Sequence, residues 1–118
     1  MTSVSNDFTE VSNSATSVDF VSLEVYAGAL ATDCKNALDE SKSYSVSPEL
    51  QPAKDKYESA LYEYNQAGYY GKTGANEFSN GNSEQGTKDI QTSTNYLKAG
   101  NTAIKEAKRL IDIYNANK

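Results

Sequence analysis

The chain has 118 residues, with 16 acidic and 11 basic side chains, no histidine and a net charge of −5. That length supports one domain with a modest core. The charge argues against nucleic acid as a partner, because affinity for phosphate backbones comes largely from Lys and Arg displacing counterions. Without histidine there is no histidine-dependent triad, no zinc site using histidine and no helical Glu-x-x-His di-iron site.

No window approaches the roughly 18 consecutive apolar residues that a transmembrane helix needs. Only 37% of the residues are hydrophobic and none is Trp, so the core is expected to be thin and built from small side chains. Residues 1–15, MTSVSNDFTEVSNSA, are rich in Ser, Thr and Asn. They are read as a flexible segment of the kind that tethers a domain to an export signal or lipid anchor. An extracytoplasmic or cell-surface location follows as the expectation, with a cytoplasmic one as the alternative. The single cysteine does not decide between them, since one thiol forms no internal disulfide in either compartment.

The first helix is expected over 16–44. Thr16 or Ser17 caps its free N–H groups, and Asp19 suits the positive end. Its apolar positions, Phe20, Leu23, Ala27, Leu30, Cys34 and Ala37, recur at three-four spacing and so lie on one seam. The second helix is expected over 48–79, with Ser47 as a cap and Pro48 in the first turn. Pro52, which lacks a donor, delays the regular helix to about Leu50–Pro52. The second seam reads Leu50, Ala53, Tyr57, Ala60, Tyr64, Ala67, Gly71, Gly74 and Phe78. Gly68, Gly71 and Gly74 each cost up to about 1 kcal/mol of helix propensity relative to alanine. The unbroken phase through Gly71 and Gly74 to Phe78 nevertheless predicts that the helix continues.

Asn80-Gly81-Asn82 supplies the next turn. The third helix, expected over 83–115 with Asn82 or Ser83 as its cap, carries Ile90, Ser93, Leu97, Gly100, Ile104, Ala107, Ile111 and Tyr114. Beside this seam runs a second row of Tyr96, Ala103 and Leu110, as Ala31 and Leu38 do in the first helix, so each helix can touch two neighbours. Short connections make neighbours antiparallel. The predicted fold is all-α, an antiparallel up-down-up three-helix bundle with long helices. From Gly74 through Phe78, Gly81, Asn82 and Gly86 to Ile90, the spacing resembles the helix-turn-helix unit of tetratricopeptide repeats. It occurs once, and Gly86 stands where that unit carries alanine, so the resemblance implies shared hairpin geometry and not membership.

No catalytic set, metal site or cofactor is expected. Asp33, Asp39, Glu40, Glu58, Glu63 and Asp112 fall mainly off the seams, as solvated carboxylates do. Cys34 lies in seam phase as a small buried hydrophobe. The tyrosines carry the functional expectation. Tyr57 and Tyr64 belong to the seam of the second helix, whereas Tyr62 and Tyr69, seven residues apart with Tyr70 beside them, lie on its opposite side. Tyrosine gives a large, fairly rigid contact surface with a polar tip. Tyr62, Tyr69 and Tyr70 are therefore the candidate partner-binding residues of a non-enzymatic interaction module. The alternative to a partner surface is that these rings pack under Phe8 and Val11 of the N-terminal segment. A second functional class is a ligand-sensing bundle, in which the glycine-rich half of the second helix opens a pocket for a small molecule. The chain is expected as a monomer or a helical homodimer.

Overall fold

The computed structural model describes residues 20–117, with side chains from residue 23 onward. The order is α1 (Phe20–Lys42), a single 3-10 turn (Pro48–Leu50), α2 (Gln51–Ser79) and α3 (Ser83–Ala116). The three helices form an antiparallel bundle 55 Å long and about 20 Å across. The caps expected at Thr16 or Ser17 and the flexible segment 1–15 lie outside the described residues.

The proline pair sets where α2 begins. Pro48 enters a tight turn closed by the Leu50 N–H donating to the Ser47 carbonyl at 2.9 Å, and the regular helix starts at Gln51. Ser47 holds that turn through its backbone alone; its hydroxyl makes no capping bond, contrary to the sequence expectation. Lys54 donates to the Tyr44 carbonyl at 2.7 Å and pins the preceding linker against α2.

α2 runs unbroken through Gly68, Gly71 and Gly74 to Ser79. It ends in a Schellman turn. Gly81 N–H donates to Phe78 O and Asn82 N–H to Glu77 O, and Gly81 takes φ +81°, which L side chains rarely adopt. Asn82 then caps α3 by accepting from the Gln85 N–H.

The glycines persist in α2 because neighbouring helices occupy the space where side chains would be. A Cβ on Gly68 would stand 2.5 Å from Ala27 O and from Ala31 N of α1. At Gly74 it would meet the Ile90 side chain at 2.9 Å, while Gly86 faces Phe78 at 2.8 Å and the Gly74 carbonyl at 3.1 Å. Each lost methyl allows a close backbone approach whose packing offsets the propensity cost. Three cross-helix hydrogen bonds reinforce the approach. Asn65 Nδ2 donates to Ala31 O at 2.6 Å, Ser93 Oγ to Ala67 O at 2.6 Å, and Tyr64 Oη to Asn101 Oδ1 at 2.7 Å.

The core is one cluster of Leu23, Ala27, Leu30, Cys34, Ala60, Leu61, Tyr64 and Ala75. α2 is the shared partner. Among the described residues no Cα of α1 comes within 8 Å of one in α3. At Gly71, a Cβ would lie 3.1 Å from Ala27 Cβ of α1 and 3.2 Å from Ser93 Oγ of α3. The helices are also less equal than their seams suggest. α3 has 34 residues and α1 has 23 described ones, and the last seam positions of α3 open to solvent, leaving Ile111 and neighbouring Ile113 exposed.

Candidate functional site

Viewed along α2, the residues against α1 (Leu61, Asn65, Gly68) and those against α3 (Ala67, Gly71, Gly74) occupy the inner side. The 100° step of an α-helix places Tyr62 and Tyr69 on the outer side, where they are 49% and 56% exposed. Tyr70, one step round toward α3, is half-buried.

Tyr70 is held by two rings. Tyr69 meets it edge-on, with centroids 5.3 Å apart and planes at 86°. Tyr96 of α3 stacks on it at 5.7 Å and 12°. Such pairs are worth about 0.5–1.5 kcal/mol beyond the area they bury. The structure thus brings all three expected residues to one face and adds Tyr96. Partial burial, with Tyr62, Tyr70 and Glu63 nearby, pushes the Tyr96 hydroxyl above the ordinary tyrosine range. Tyr96 was visible in sequence only as a row beside the α3 seam; its pairing with Tyr70 depends on the register between two helices, which no spacing within one helix reveals. The alternative cover for the rings, Phe8 and Val11, lies outside the described residues.

The face continues in both directions along the α2–α3 groove. Toward the start of α2, Lys56, Ser59 and Glu63 with Ala103, Lys105, Glu106 and Arg109 line a shallow groove of about 790 Å³. Arg109 forms a two-pronged pair with Glu106, and its guanidinium holds the Glu106 carboxyl below its ordinary pKa, aided by Lys56. Toward the hairpin, Glu77 and Asp89 face each other across α2 and α3. The nearby Asp89 carboxylate, which favours the protonated form of Glu77, together with partial burial raises the Glu77 pKa. Its Oε1 is buried without a hydrogen-bond partner.

The inner tyrosines behave differently. Tyr64 is 7% exposed, its ring lying over Gly100, where a Cβ would stand 2.6 Å from Cε1. Burial and the neighbouring Cys34 push the hydroxyls of Tyr57 and Tyr64 up. Cys34 itself is buried. The carboxylates expected in solvent divide: Asp39, Glu40 and Asp112 are exposed, whereas Asp33, Glu58 and Glu63 are half-buried. Glu58 is the clearest departure, lying 3.9 Å from Lys54 with one oxygen occluded. Among the described residues no three Cys, Asp or Glu side chains gather as a metal site would require, and no helix is long and apolar enough to cross a membrane. Compared with known protein families, curated proteins and solved structures, the chain matches none.

Proposed function

We propose that this chain is a non-enzymatic helical interaction module that docks a protein partner through Tyr62, Tyr69 and Tyr70, with Tyr96 completing the surface. One observation carries the reading: α2 places Tyr62 and Tyr69 half in solvent while the stack on Tyr96 fixes Tyr70 between them and α3. Rings already ordered lose little freedom on binding, and tyrosine is enriched among the residues that dominate interface energies. The absence of histidine and the scattered carboxylates favour recognition over catalysis. The Ser-, Thr- and Asn-rich opening suits display outside the cytoplasm on a tether, which fractionation of native cells would test. Small-molecule sensing gains less support, because neighbouring helices fill the space beside Gly68, Gly71 and Gly74.

The test replaces Tyr69 with a photo-crosslinking phenylalanine analogue in cells that make the protein, using exposed Asp39 as the control position. A defined adduct from position 69 and none from position 39 supports the docking face. Thermal unfolding in dilute solution provides the second arm. Tyr62→Ala with Tyr69→Ala is expected to cost no more than about 1.5 kcal/mol, the upper worth of the edge contact of Tyr69 on Tyr70. A loss of several kcal/mol would show these rings to be structural and end the proposal.

A further inference from the structure

Resting on the reading of the tyrosine face as a docking surface, we propose that its partner is a second copy of this chain, seated antiparallel on the same α2–α3 face about a two-fold axis. A two-fold interface requires a patch complementary to itself when turned end over end, and this face has that property. Lys56 and Glu77 stand about 31 Å apart along α2, at about 1.5 Å per residue, and their midpoint falls between Gln66 and Ala67, within the Tyr62–Tyr69 interval. On α3, Asp89 and Lys105 have their midpoint at Leu97, beside Tyr96. The two midpoints share one level of the bundle, as the cross-helix bonds from Ser93 to Ala67 and from Tyr64 to Asn101 on either side of it establish. Turning a copy about that level places its Glu77 and Asp89 against Lys56 and Lys105. It also places Tyr62 of one copy opposite Tyr69 of the other.

Each end lacks a partner that the other end supplies. Glu77 and Asp89 are like charges facing each other, and Glu77 Oε1 is occluded and unpaired. Among the described residues, neither carboxylate has a cation within 4 Å, and neither Lys56 nor Lys105 has an anion within that distance. Arg109 and Glu106 largely neutralise one another, leaving Lys56 and Lys105 to outweigh Glu63 in the groove. A face about 31 Å by 20 Å covers roughly 600 Å² on each copy, reaching the lower bound for a specific interface of about 1,200 Å² in total.

The experiment measures the mass of the full 12.8 kDa chain by sedimentation across a concentration series at low salt. A concentration-dependent dimer is expected. Lys56→Glu with Lys105→Glu, and separately Glu77→Lys with Asp89→Lys, should each weaken self-association by about tenfold or more at unchanged helicity of the dilute chain. Mixing the two variants should restore a heterodimer, because each reversed end then meets its complement. A chain that is monomeric throughout, or a dimer indifferent to charge reversal and mixing, overturns the proposal. A monomer that still crosslinks from position 69 to a different protein refutes only the second copy; rings found to be structural refute the docking face itself.

Discussion

The two sides of α2 invert the usual allocation of size. Its inner side carries Gly68, Gly71, Gly74, Ala60, Ala67 and Ala75, all buried, while its outer side carries Tyr62 and Tyr69, about half exposed. Tyr64 is the one buried ring on that inner side, and most of its other buried positions are glycine and alanine. Here the inner side works by proximity: small residues bring α1 and α3 close enough for backbone and hydroxyl contacts, and the large apolar contributions come from Leu23, Leu30, Leu61 and Tyr64. The contrast separates what holds this protein together from what it presents, and substitutions on either side should behave accordingly.

The largest effect is expected where the inner side does carry bulk. Leu61→Ala should destabilise by about 3 kcal/mol in chemical denaturation, since a fully buried leucine loses both transfer energy and packing. Gly68→Ala should come next, at about 2 kcal/mol. Overpacking against the Ala27 and Ala31 backbone costs about 1–3 kcal/mol, less up to about 1 kcal/mol regained in helix propensity. A stabilised Gly68→Ala protein would break the comparison outright. Ser93→Ala removes the buried hydroxyl bond to Ala67 O and should cost about 1 kcal/mol.

The outer side gives the smallest effect and one of opposite sign. Glu77 has a raised pKa in the folded state, so the fold favours its protonated form. That contribution is complete below the unfolded value near about 4.3 and is lost as pH rises through the folded value. Glu77→Gln, neutral at every pH, should therefore raise the melting temperature of the dilute chain at pH 7. The difference from the parent chain should vanish near pH 3.

The helices and the outward direction of the tyrosines were legible because both follow from local periodicity. Gly71 and Gly74 hold the seam phase, and that phase predicted α2 to Ser79 despite three poor helix formers. Asn80-Gly81-Asn82 was legible because only glycine readily takes the left-handed turn there. What remained hidden was inter-helical. The stack of Tyr96 on Tyr70, the facing of Glu77 and Asp89 and the lack of close backbone contact between α1 and α3 all depend on the register and placement of packed helices, which the spacing within each helix leaves open. Ser47 shows a local limit as well. With Pro48 directing the chain into a tight turn, the backbone carbonyl of Ser47 closes that turn while its hydroxyl takes no part.

Because α2 is the only α-helix with backbone contacts to either outer helix among the described residues, the bundle consists of two interfaces that share one helix. α2 and α3 are joined by a three-residue connection and make contacts of short sequence separation, the kind that close fastest. α1 packs on the other edge of α2, with Asn65 bonded to Ala31 O and Gly68 against the Ala27 and Ala31 backbone. The tyrosine face belongs wholly to the α2–α3 interface, so no residue of α1 is needed to build it.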